Sequence, residues 1–155
     1  MRHALTYSII DLLRNQVPEV SGRVTWIYDG VSITGDEKPL LTIESIAEND
    51  ELMSAGRLDF SEVYAWQVGV FTRTVAERER LSETVKTVLR QRNIPFLDTR
   101  GSVPAETGRT FVADVIRVVP MPADDIANET NRHRSYIDVE VAMYRVNGDS
   151  LNFTQ

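Results

Sequence analysis

Asp124, Asp125 and His133 come closest in this chain to a catalytic constellation, since paired carboxylates with an imidazole can hold a metal or share acid-base work. Their spacing fits no ligand pattern. Adjacent carboxylates beside Pro122 in a polar stretch read as solvated charge rather than as a site. Gly101 and Gly108 in TRGSVPAETGR suggest a phosphate loop only superficially, because the stretch lacks the Gly-Lys-Ser/Thr ending and opens onto no expected helix. The chain has no cysteine, which excludes disulfides, thiolate zinc sites, iron-sulfur clusters and a cysteine nucleophile, and leaves His3 and His133 as its imidazoles. The residues therefore predict no catalytic, cofactor or metal site. A hydrolase using Asp124, Asp125 and His133 is the enzymatic rival.

The remaining charged and aromatic groups point to surfaces and core. Glu77, Arg78, Glu79, Arg80 and Glu83 alternate in sign with Lys86 and Arg90 farther on, the pattern of a solvated helix face that a ring interface can also use. Arg132, His133 and Arg134 form too small a basic cluster, in a chain of net charge -6, for a groove that neutralises phosphates. A channel past which DNA slides without specific binding stays compatible with that charge. Tyr64 and Trp66 sit on a strand with two apolar faces and are expected in the core. A regulatory domain stacking a small ligand on either ring is the other rival.

These groups need elements to position them. Leu5, Ile9, Leu12 and Leu13 recur at helical spacing over His3–Gln16, and Pro18 ends that helix. Gly22–Tyr28 alternates as a short strand, with a turn or loop to Lys38, and Pro39–Ala47 reads as a second strand. Glu48–Phe60 is polar and broken by Gly56, so a long hairpin arm or mobile loop is expected there. Glu62–Thr72 is the central strand, with Tyr64, Trp66, Val68 and Val70 on one face. Thr74 and Glu77 form a capping box ahead of a helix over Val75–Arg92, whose apolar stripe is Leu81, Val85, Val88 and Leu89. Thr99–Arg109 is expected as a surface loop, Phe111–Val119 and Ser135–Val146 as strands, and the stretch from 121 to 134 as a flexible connection. On the last strand Ile137, Val139, Val141 and Met143 alternate with Tyr136, Asp138, Glu140 and Tyr144, one oily face and one charged.

The order predicts one α+β domain over 1–155: an antiparallel or mixed sheet of about four to five strands, both helices on one face, and a C-terminal tail over 147–155. At 155 residues, 42% hydrophobic and 26% charged, the chain can bury a core without staples. No apolar run is long enough for a membrane span, and Asp11 and Arg14 interrupt the stretch a signal peptide requires, so a cytoplasmic protein is expected.

The segment FSEVYAWQVGVFTRTVAERERLSETVKTVLRQR resembles the central strand-then-helix unit of phage tail-completion proteins, the tail terminators or tail-to-head joining proteins of long-tailed phages. The matching pieces are Tyr7–Gln16, Tyr64–Thr74, Ala76–Leu89 and Asp124–Tyr144, which are patterns of residue type rather than an invariant signature. The resemblance implies a structural virion protein of the tail and neck, assembled in the host cytoplasm as a homo-hexameric ring. Such a ring caps the tail tube, stops its polymerisation and meets the head-neck connector or stopper, with genome DNA passing the lumen unbound; another neck or head-completion component is the near alternative. The partner-binding residues expected on this reading are Glu51, Arg57 and Asp59 on the arm, Arg78 and Arg80 on the helix, and Asp124, Asp125, Arg132 and Arg134 on the connection before the last strand. Neither a membrane nor a small-molecule substrate is expected as a partner.

Overall fold

A computed structural model of the chain describes residues 1–28, 31–33, 36–56, 59–121, 132–146 and 149–150. Helix α1 runs Arg2–Gln16 and turns Leu5, Ile9, Leu12 and Leu13 inward. Thr6 and Ser8 are also buried in it, and their hydroxyls donate back to the carbonyls of Arg2 and Ala4, so neither is left unpaired. A 3-10 turn over Pro18–Val20 ends in Ser21 at φ 48° and Gly22 at φ 78°, and this left-handed pair reverses the chain into strand β1, Val24–Trp26.

Strand β2 runs Leu40–Leu52 and β3 Phe60–Thr72, paired antiparallel along their whole length with one register shift between Ser45 and Ala47. The hairpin expectation for 48–60 is thus met in form, but the first five residues of what reads as loop are strand: Glu48–Leu52 pairs residue by residue with Phe60–Tyr64. Cross-strand bonding to an apolar neighbour keeps this polar run extended. Helix α2, Val75–Leu89, begins at the expected cap: Thr74 Oγ1 accepts from Glu77 N at 3.1 Å, while the Glu77 carboxylate reaches one residue farther back than a capping box and accepts from Arg73 N at 2.8 Å.

The stretch after α2 corrects the sequence reading. Ile94–Asp98 is strand β4 and Ala105–Phe111 is strand β5, antiparallel partners in a separate two-stranded sheet, where a loop was expected over 99–109. Ile94, Leu97 and Phe111 are buried, and β4 lies alongside α1, where Leu97 N donates to Ser8 Oγ at 2.9 Å. Packing against α1 overrides the turn-forming composition. The single strand expected over Phe111–Val119 is accordingly two: β5 ends at Phe111, and β6, Asp114–Pro120, starts after Val112 and Ala113.

Strand β7, His133–Val146, pairs with β3 on one side and β6 on the other, and β8, Asp149–Ser150, pairs with the end of β7. The main sheet has the order β1-β2-β3-β7-β6 and is mixed, since β1 alone runs parallel to its neighbour. Leu41, Ile43, Trp66, Val68, Val70, Ile137, Val139 and Val141 share one face and are buried beneath α1 and α2, with α2 over β3, β7 and β6. Among the described residues no helix is long and apolar enough to cross a membrane.

Candidate functional site

The β2–β3 hairpin outruns the helices. Arg2, the first residue of α1, forms an ion pair with Glu48 at 3.5 Å, and β2 continues past it to Leu52. The tip is closed by a Met53 N to Asp59 O hydrogen bond at 2.9 Å. Glu48, Asp50, Glu51, Leu52 and Met53 are all exposed. Strand β1 covers the outer side of β2 only from Leu41 to Ile43, so among the described residues the far part of β2 is hydrogen-bonded on one side alone.

Beside that open edge sits a surface aromatic cluster. His3 and Tyr7, four residues apart on α1, have ring centroids 4.8 Å apart; Tyr7 meets the Trp26 ring edge-on at 5.8 Å, and Trp26 meets Tyr28 at 6.1 Å. Tyr28 is 64% exposed. The sequence reading missed this cluster, although the spacing of His3 and Tyr7 and the alternation of Trp26 and Tyr28 were both visible.

The sheet face away from the helices carries a polar row in place of a simple charged strip. Gln67 Nε2 donates to Asp138 Oδ1 at 3.0 Å, and Arg117 pairs with the other carboxylate oxygen. Burial works to raise the Asp138 pKa, but the bonds from Gln67 and Arg117 and the guanidinium charge prevail and hold it below the usual carboxylate range. One register step away, Phe71 lies edge-on to Tyr136 at 6.3 Å, and the Arg134 guanidinium sits 5.4 Å from the Tyr136 ring centre. These rings cross the sheet over Gly69, where a Cβ would come within 2.3 Å of Thr42 Oγ1 and 2.8 Å of the Phe71 ring.

Near the arm, on the helix side, Glu62 is buried and satisfied: Tyr64 Oη donates to it at 2.7 Å and Arg145 Nη2 lies 2.8 Å from its other oxygen. Burial, then the Glu62 hydrogen bond and charge, push the Tyr64 phenol well above its ordinary value.

The expected partner-binding residues fall into separate places. Glu51 and Asp59 lie on the hairpin, and Arg57, Asp124 and Asp125 lie outside the described residues. Arg80 is exposed and lines an open groove of about 470 Å³ with Glu19, Arg23, Pro39, Arg73, Glu77 and Leu81. Arg78 is tied down instead: its side chain is only 12% exposed, pairs with Glu79 at 2.7 Å and donates to the Met121 carbonyl at 3.2 Å. Arg132 is exposed at the turn into β7, whereas Arg134 is stacked on Tyr136. Arm and α2 groove lie at opposite ends of β3, whose thirteen residues span about 40 Å.

Trp66 is fully buried with its indole nitrogen bonded to Thr6, and Tyr64 is bonded to Glu62, so neither ring offers a face to a ligand. Of the hydrolase trio, His133 alone is described; it opens β7, and its backbone carbonyl accepts from Thr72 Oγ1 at 2.9 Å. Among the described residues no group of three His, Asp or Glu side chains is placed to hold a metal ion. No protein-family model matches the chain, and no curated protein sequence matches it.

Proposed function

We propose that this chain is a structural assembly protein of the tail-terminator kind, forming a hexameric ring that caps a tail tube, ends its growth and presents a surface to the neck connector. The observation that carries the reading is the β2–β3 hairpin, which runs past the first residue of α1 with exposed side chains and, among the described residues, an open backbone edge. An isolated domain gains nothing from such an arm, and exposed edges are normally blunted or covered. In a ring they are covered by neighbours. The element order, helix then strand then long hairpin then capped helix then a returning strand, supports the same reading. On it the arm meets tube or neck, the α2 face bearing Arg80 meets another subunit, and DNA passes without specific contacts.

The test is tube growth in vitro. Purified tube protein polymerising in the presence of this chain, followed by light scattering, should stop at short lengths when the chain is present at about one ring per growing end. Unchanged elongation at equimolar protein argues for another neck component. A variant with the hairpin shortened to end at Glu48 and Tyr64 should fold and fail to cap; normal capping by that variant contradicts the role given to the arm.

A further inference from the structure

Among the described residues two strand edges, β2 beyond Ile43 and β6, are without a strand partner on opposite sides of the same sheet, and their directions fit each other. Strands β2, β3, β7 and β6 alternate in direction without exception. A second copy related by simple rotation therefore brings its β6 alongside the free part of β2 in the antiparallel sense, continuing the alternation. The free stretch of β2, Ser45–Leu52, is eight residues, and β6, Asp114–Pro120, is seven.

The backbone of that stretch is aimed outward. Leu41 N donates to Arg23 O and Ile27 N donates to Ile43 O, so Leu41 and Ile43 face the β1 side. The register shift between Ser45 and Ala47 moves this parity by one, so Glu48, Asp50 and Leu52 direct their N–H and C=O groups out of the sheet.

Side chains support the same pairing. The free stretch begins where Trp26 and Tyr28 stand, and in the antiparallel sense it is the Pro120 end of β6 that arrives there. Proline stacks on aromatic rings, and its missing N–H costs nothing at the end of a ladder. Ile116 on β6 is 53% exposed, and Ile46 on β2 is also exposed.

We infer that the ring closes by intermolecular strand addition: β6 of one copy pairs antiparallel with Ser45–Leu52 of the next, and Pro120 seats against Trp26 and Tyr28. The contact is heterologous, joining different patches on the two copies, which is the kind that generates rings. This inference rests on the ring reading above, but a ring could instead close through α2 alone, so the test separates the two.

The chain has no cysteine, so introduced ones report cleanly. Glu51 and Asp114 are exposed and lie on the same sheet face. Glu51→Cys combined with Asp114→Cys, oxidised mildly on capped tube ends, should give a ladder of covalent multimers up to the ring, with Asn49→Cys plus Asp114→Cys covering a two-residue slip in register. Each single variant should stay uncrosslinked. Asp50→Pro removes one outward N–H while leaving the β2–β3 ladder intact, and should abolish ring formation with unchanged far-ultraviolet circular dichroism. If that variant unfolds, the cysteine pairs still decide. Rings that form without a ladder from either pair overturn the inference and leave the ring reading standing; dimers from Glu51→Cys alone overturn it in favour of β2–β2 pairing. Absence of any ring from the unaltered chain on tubes overturns both.

Discussion

The indole Nε1–H of Trp66 donates to the Thr6 hydroxyl at 2.9 Å, a bond that joins the centre of β3 to the first turns of α1. The Thr6 hydroxyl in turn donates to the Arg2 carbonyl, so a tryptophan on the sheet is satisfied by a helix hydroxyl that is itself satisfied. Thr6→Val keeps the shape and removes the acceptor, leaving a buried N–H unpaired. The expected loss is about 1–3 kcal/mol in urea unfolding, with Thr6→Ser well inside that loss.

Gly69→Ala should destabilise by roughly 1–3 kcal/mol, because its Cβ would collide with Thr42 and the Phe71 ring and force one of them to shift. Adding Thr42→Ala removes the nearer obstacle. The double variant should recover part of the loss, and strict additivity in denaturant midpoints would show that the two sites do not touch.

Acid should loosen the outer sheet face. Asp138 titrates below its unfolded value near 3.9, so its contribution is complete above about pH 4 and is lost as the pH falls through the folded value. Asp98, held at about 2 by its bonds from Arg100, behaves in the same direction, but it is exposed and contributes little. The fall in stability below about pH 4 should be shallower in Arg117→Gln than in the parent. Identical acid profiles would remove Arg117 from the account.

Tyr64 contributes on the alkaline side. Its phenol is raised above the ordinary value near 10, so its contribution is complete below about pH 10 and is lost as the pH rises beyond it. Ultraviolet titration should find the Tyr64 phenol silent until the chain unfolds. In Tyr64→Phe the silent group should disappear.

Much of this arrangement was legible in the sequence because local and tertiary signals agreed. Thr74 and Glu77 announce α2, and the two apolar faces of Glu62–Thr72 announce a central strand; both hold in the structure. The β4–β5 hairpin was hidden because Pro95, Gly101 and Gly108 carry loop signals, and what keeps it extended is the burial of Ile94, Leu97 and Phe111. The parallel sense of β1 was also hidden, since direction depends on where the connection to Leu40 travels rather than on any residue of Val24–Trp26. For the candidate surfaces, Glu51 and Arg80 were found as exposed charge, but the strand edge that Glu51 accompanies is a property of pairing. Arg78 reads like Arg80 in sequence and differs because Met121 comes within its reach.

The most direct measurement is electron microscopy of the purified chain mixed with tail tubes. A ring of added density at one tube end, with six-fold symmetry in end-on views, is the expected result. Bare tube ends, with the protein on necks or unbound, would contradict it.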